Sequence, residues 1–177
     1  MQTLKNELLT IEISEHGAEL QSIRKDAYEY LWQGDPAFWG RRSPVLFPIV
    51  GSVWEKCFRV DGKVYEMGQH GFARDMDFEL VSCSETEVWY RLESTEKTLS
   101  AYPWPFVLEI GYVLEGNSVT VLWKVTNPGE SEMYFQIGAH PAFNYPDYDP
   151  ETPDRGVVEF DRNENLQRSG FKGKGCV

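Results

Sequence analysis

From Leu9 to Gly138 the chain is a succession of short β-rich runs separated by turn residues, and no stretch holds the 3.6-residue apolar repeat of a long helix. Strands this regular, with turns between them, predict an all-β antiparallel sandwich. Phe58–Tyr65 carries the sharpest local signal: Asp61-Gly62 supplies two residues that tolerate left-handed backbone, with Val60 and Val64 on either side. Phe78–Cys83 is expected to pair with Val88–Glu93, and Phe106–Leu114 with Ser118–Thr126 across Glu115-Gly116-Asn117. Further strands are expected at Leu9–Ile13, Ala18–Arg24, Tyr28–Gln33 and Met133–Gly138, the last stopped by His140-Pro141. In Ala18–Arg24, Ala18, Leu20 and Ser22 share one face, and Glu19, Gln21 and Ile23 the other. Only Asp35–Arg42 reads as a short helix, with Asp35 as N-cap and Pro36 in the first turn.

No linker or internal repeat divides the 177 residues, so residues 1–177 read as a single domain long enough for a sizeable core. Apolar residues make up 41% and aromatics 14%, which excludes a disordered chain. Aromatics suit strands and suit equally the stacking faces of a sugar site, and any single one reads first as core. A net charge of −11 argues against a nucleic-acid partner, which would want a basic face. Cys57, Cys83 and Cys176 are far apart, odd in number and in no CxxC, and read as reduced thiols of a cytoplasmic protein. No apolar run approaches membrane length and the N-terminus lacks a signal-peptide pattern, so no membrane partner is expected. The last stretch changes character. Residues 144–156 are rich in Pro and Asp and read as a loop, Val157–Phe160 as one more strand, and the glycine-rich end offers no capping element. The sandwich is expected to be incomplete at its C-terminus, with an open edge that invites self-association.

Three histidines are present. His16, before Gly17, reads as an exposed turn residue. His70 lies in Gly68-Gln69-His70-Gly71, where backbone crowding is low and a ligand can approach closely. His140 lies where a strand ends in a proline turn, a position that faces a site as readily as it closes a core. Context alone leaves a structural and a functional reading equally open for both. Metal sites favour close pairs such as HxH or HExxH, and the separation of these histidines argues against one. GxSxG, an activated cysteine and a glycine-rich phosphate loop are all missing from the sequence.

The blocks GAELQSI (17–23), YLWQGDPAFWGRRSPVLFPIVG (30–51), MGQHGFARDMDF (67–78) and IGAHPAFN (137–144) together resemble the aldose 1-epimerase (galactose mutarotase-like) family, nearest its LacX-like branch. They follow in the family's order and spacing over most of residues 17–144. The resemblance implies a galactose mutarotase-like supersandwich and an isomerase that interconverts the α and β anomers of a hexose by acid/base ring opening, with no cofactor. A histidine titrating near neutrality serves such a reversible reaction in either direction. By carry-over, His140 is the acid that protonates the ring oxygen and His70 hydrogen-bonds the same region. Arg42 and Arg74 are substrate-contacting cations, and Gln69 and Asn144 are either polar contacts or loop braces. The family's base is a glutamate on a strand near its C-terminus that no acid here matches, so the resemblance also implies impaired turnover. Asp75 and Asp77 are the first alternatives by proximity to His70, while Asp147, Asp149 and Asp154 read as solvated loop residues. Other readings stay open: a non-catalytic carbohydrate-binding module, a structural fragment that needs a missing half, and a hexose-6-phosphate 1-epimerase. The last requires Arg41, Arg42 and Arg74 to converge on a phosphate.

Overall fold

Alternating apolar residues at the N-terminus build the first sheet. Strands β1 (Gln2–Lys5), β2 (Thr10–Ile13), β3 (Leu20–Lys25) and β4 (Tyr28–Glu29) lie side by side in sequence order, all antiparallel. Leu4, Ile11, Ile13 and Leu20 are buried along it. The computed structural model describes residues 1–145, 148–153, 157, 159–162, 171–172 and 175–176, the last four by their backbone. Strand β5 (Val45–Leu46) follows, then a hairpin of β6 (Cys57–Val60) and β7 (Lys63–Glu66). Its turn is the expected one, with φ of 49° at Asp61 and 78° at Gly62. The second sheet contains β8 (Glu79–Cys83), β9 (Glu87–Glu93), β10 (Val107–Glu115) and β11 (Ser118–Thr126), ordered β11-β10-β9-β8. A single helical turn and a half, α1 (Glu96–Ala101), joins β9 to β10, and β12 (Gly138–Ala139) returns to pair with β5.

One core joins the two sheets. Val88, Tyr90 and Leu92 of β9, with Leu108, Ile110, Tyr112 and Leu114 of β10, are buried in the same cluster as the apolar residues of β1–β3. Two phenols cross the interface and satisfy backbone there: Tyr90 Oη donates to the Ile13 carbonyl at 3.2 Å, and Tyr112 Oη to the Ala18 carbonyl at 2.7 Å. Burial pushes the Tyr90 hydroxyl up to about 12 and raises that of Tyr112 as well, so both remain donors at any ordinary pH. On the other face of the second sheet Arg91 and Lys124 flank Glu109, at 2.9 and 2.7 Å. The chain divides into two compact units, Met1–Asn144 and Tyr145–Val177. In the second, Asp149 accepts from Glu151 N–H at 2.9 Å in an exposed turn, and β13 (Phe171–Lys172) pairs with β14 (Gly175–Cys176).

Several local expectations are corrected by tertiary partners. Asp35–Arg42 forms one turn and no helix. Asp35 does cap it, accepting from Ala37 N–H at 2.8 Å, but the groups a second turn needs are taken elsewhere. The Trp39 carbonyl accepts from the Trp32 indole at 2.8 Å, and Arg42 N–H donates to the buried Glu19 carboxylate at 3.0 Å. The Tyr28–Gln33 strand stops at Glu29, whose carboxylate turns back to accept from Ile23 and Leu31 N–H at 2.8 and 2.9 Å. Of Met133–Gly138 only Gly138 is in a strand; Gln136 bonds instead to the 48–50 loop, through its N–H to Pro48 O and its side chain from Val50 N–H. Residues 157, 159 and 160 lie outside any strand, and Val158 falls outside the described residues. Helix α1 was not expected. Its signal is Thr95-x-x-Thr98, a capping box in which each side chain bonds the other's backbone N–H.

Removing the Tyr112 hydroxyl leaves the buried Ala18 carbonyl without its donor. Tyr112→Phe should cost about 1–3 kcal/mol, seen as a lower urea midpoint at unchanged slope; an unchanged midpoint would show that the phenol does not tie the sheets together.

Candidate active site

The site begins with a close approach of two backbone segments. The Phe47 carbonyl accepts from Phe72 and Ala73 N–H at 3.0 and 3.2 Å, which pins residues 70–73 against residues 47–51. Only glycine fits at position 71: φ is +71°, and a Cβ there would lie 2.2 Å from the Phe47 oxygen. The neighbouring His70 is also left-handed, at φ 65°, a conformation that persists in a non-glycine residue only when its surroundings hold it. Here they do. His70 N–H donates to the Gly51 carbonyl at 2.7 Å, and Gly51 N–H donates to His70 Nδ1 at 3.0 Å. Because Nδ1 accepts, the ring proton sits on Nε2, which is left to donate to a ligand.

His140 comes to the same place from the other end of the chain. It follows β12, whose pairing with β5 sets the strand end, and its N–H donates to Pro44 O at 3.1 Å. The His70 and His140 rings meet edge to face with centroids 5.9 Å apart. Trp39 lies against the outer ring, 5.2 Å from His140 and tilted by 42°. His140 is exposed and His70 half-buried. Trp39 is the residue that sequence reasoning did not single out. Its only signal was an aromatic in a turn-rich block, and the turn that replaces the expected helix is what brings it here.

Two of the three arginines converge beside the histidines. Arg41 Nη2 lies 2.7 Å from Asp75 Oδ1, and Arg74 Nε lies 3.7 Å from Asp75 Oδ2. Arg74 Nη2 donates to the Gln69 carbonyl at 2.8 Å, while its Nε is enclosed with no hydrogen-bond partner among the described residues. Burial, then the Arg41 charge, lowers Arg74 below the usual guanidinium range. His70 is held below the ordinary histidine value by burial first, then by the charges of Arg74, His140 and Arg41. Arg42 diverges: its Nη1 donates to the Gln21 carbonyl at 2.7 Å and its stem packs against Gly34, so it braces the loop. Asn144 braces too, with Nδ2 donating to the Glu29 and Leu31 carbonyls at 2.9 Å each. The Gln69 side chain is exposed. Asp77 pairs with His16 at 2.7 Å, outside the histidine pair. Asp147 and Asp154 lie outside the described residues, as does the side chain of Cys176; Cys57 and Cys83 are free thiols. Glu19 is the buried anchor beneath the site, accepting from both Arg42 and Ser43 N–H at 3.0 and 2.7 Å.

Paired antiparallel sheets, with a histidine pair carried by the turn after β7 and the segment just past β12, define a mutarotase-like β-sandwich. The chain belongs to the aldose 1-epimerase family, whose model matches residues 1–169. It is 38% identical over 170 residues to the chromosomal protein LacX of Lactococcus lactis, an alignment covering 92% of this chain and 56% of LacX. Among solved structures, a galactose mutarotase related enzyme from Lactobacillus acidophilus superposes with a TM-score of 0.82 at 38% identity, over 85% of this chain and 51% of that one. A galactose mutarotase-like protein from Lactobacillus casei gives 0.79 at 40% identity, over 81% and 50%. The chain therefore spans about half the length of the relatives it matches. Among the described residues no cluster of His, Cys, Asp and Glu could hold a metal ion, and no helix is long and apolar enough to cross a membrane.

The depressed His70 has a measurable consequence. Its folded state resists protonation, so stability should fall as pH drops below the unfolded histidine value of about 6.5 and continue to fall until the folded value is passed. An NMR titration should give His70 a midpoint below the ordinary histidine value of about 6.5, and Arg74→Gln should raise it; a midpoint at or above that value would contradict the electrostatics of the site.

Proposed function

We propose that the chain binds a neutral hexose at the His70–His140 pair and supplies the acid half of an aldose 1-epimerase reaction. The observation that supports this most directly is the 5.9 Å edge-to-face approach of two histidines that lie far apart in sequence. Ring opening needs a proton delivered to the ring oxygen as the C1–O bond breaks and the C1 hydroxyl proton leaves; rotation about C1–C2 and reclosure in reverse give the other anomer. His140, exposed at the end of β12, is the proposed donor to the ring oxygen. His70, kept neutral with its proton on Nε2, is the proposed hydrogen-bond donor that holds the sugar. Trp39 offers a flat apolar face for the C–H side of the ring.

The base is the weak side of this arrangement. Asp75, five residues past His70, is engaged by Arg41 and Arg74, and Asp77 by His16. A positioned acid or base contributes about 10²–10⁴ in rate. The 177-residue chain is therefore proposed to bind sugar and to turn over far more slowly than an ordinary mutarotase. A second reading has one specific observation behind it: Arg41 and Arg74 converge beside the site, as a hexose 6-phosphate would require, although Arg42 does not join them.

Polarimetric decay of freshly dissolved α-galactose or α-glucose tests the first reading. The chain should be slow, and His140→Asn should change the residual rate little, because groups that act as a unit are non-additive. Ordinary turnover abolished by His140→Asn would place a competent base in this chain. Glucose 6-phosphate binding more tightly than glucose, with a steep loss in salt, would favour the phosphosugar reading instead.

A further inference from the structure

Arg41, Arg74 and Asp75 form a charge cluster that the proton transfers proposed for His70 and His140 do not use. Its members are fixed from two separate segments. Arg41 adjoins the stretch whose backbone Glu19 holds through Arg42 and Ser43 N–H. Arg74 and Asp75 share one helical turn, Ala73–Asp75, in which Asp75 N–H donates to the Phe72 carbonyl at 3.0 Å and Ala73 N–H to the buried Phe47 carbonyl at 3.2 Å. The Asp75 carboxylate turns one oxygen to each guanidinium: Oδ1 lies 2.7 Å from Arg41 Nη2, and Oδ2 lies 3.7 Å from Arg74 Nε. Asp75 is also the most exposed of the three, its side chain 52% accessible against 32% for Arg41 and 16% for Arg74. An anion arriving from solvent therefore meets the carboxylate as well as the cations. Glu19 adds a second negative charge that acts on Arg74, so two guanidiniums are balanced by two carboxylates.

We propose that Asp75 is a specificity-determining residue: it fills the anion position between Arg41 and Arg74, closing that pair to the phosphate of a hexose 6-phosphate while leaving partners for the hydroxyls of a neutral hexose. Two guanidiniums about one point are what a phosphate binds. Here that point is taken by an anion that belongs to the chain itself. A phosphate has either to displace the carboxylate from Arg41 or to lie against it, and like charges at such range repel. A hydroxyl meets neither cost, because it donates to a carboxylate and accepts from a guanidinium. The net charge of −11 adds a weaker, screened repulsion in the same direction. The convergence of Arg41 and Arg74 thus signals phosphate only when the charge between them is left out. This role rests on the hexose reading of the site and deepens it, since it names the residue that selects the neutral sugar.

The test is an NMR binding titration with inorganic phosphate, glucose and glucose 6-phosphate, run on the 177-residue chain and on Asp75→Asn, Asp75→Glu and Asp77→Asn. Asp77→Asn is the charge control: it makes the same change in net charge two residues away, at a carboxylate that pairs with His16. Asp75→Asn should tighten phosphate and glucose 6-phosphate relative to glucose by about tenfold or more in dissociation constant, and added salt should erode the gain. Asp75→Glu and Asp77→Asn should leave the ratio near that of the unaltered chain. A phosphate affinity that Asp75→Asn and Asp77→Asn change alike would overturn the proposal. So would an Asp75→Asn chain that loses urea stability and gains no phosphate, since the carboxylate would then only tie two loops together. The hexose reading fails separately: if no variant binds glucose yet Asp75→Asn alone gains phosphate, the sugar assignment falls and the exclusion of anions by Asp75 stands.

Discussion

Everything in the first unit depends on the closure of one sheet over the other. Leu4, Ile11, Ile13 and Leu20 come from strands near the N-terminus, and Tyr90, Leu108, Ile110 and Tyr112 from strands some eighty residues on. Neither sheet could bury its apolar face alone. The crossing hydroxyls of Tyr90 and Tyr112 add direction to an otherwise non-directional contact, because each has one acceptor, a carbonyl on the opposing layer, and would be left unpaired by a shifted packing. The same layer supplies Glu19, which reaches from the start of β3 to hold the backbone at Arg42 and Ser43. Through that carboxylate the core sets the loop that carries Arg41 and Trp39.

The site inherits its geometry from this frame. Phe47 is buried in the core, and its carbonyl receives the 70–73 segment, so the left-handed backbone at His70 is stabilised by contacts rooted in the interior. Strand β5 then receives β12, and the strand end delivers His140. The two histidines are thus fixed by neighbouring points of one segment, residues 44–51, which explains how rings seventy residues apart in sequence meet at 5.9 Å. Arg41 and Arg74 add positive charge beside them, and Asp75 balances part of it. Burial first, and that charge second, favour a neutral His70, and the pair has unequal environments, a half-buried hydrogen-bond donor next to an exposed imidazole.

The second sheet shows what the frame leaves open. Its inner strands are sealed by the first sheet, whereas β11 carries the same core pattern out to solvent.

The amino-acid sequence by itself determined the all-β class, the hairpins at Asp61-Gly62 and Gly116-Asn117, the pairing of β8 with β9, and the two histidines worth weighing. These rest on local chemistry: period-two alternation, and residues that tolerate left-handed turns. The tertiary structure alone decided the rest. It unwound the expected helix at Asp35–Arg42, because Trp32 and Glu19 took the backbone groups a second turn requires. It gave the Arg42 guanidinium and the Asn144 amide their partners, the carbonyls of Gln21, Glu29 and Leu31. It brought Trp39 to His140 and Arg41 to Asp75, pairings between segments that no local pattern links. A side chain's role is settled by which donors and acceptors surround it, and in a sheet protein those come from strands distant in sequence, where local periodicity carries no information about them.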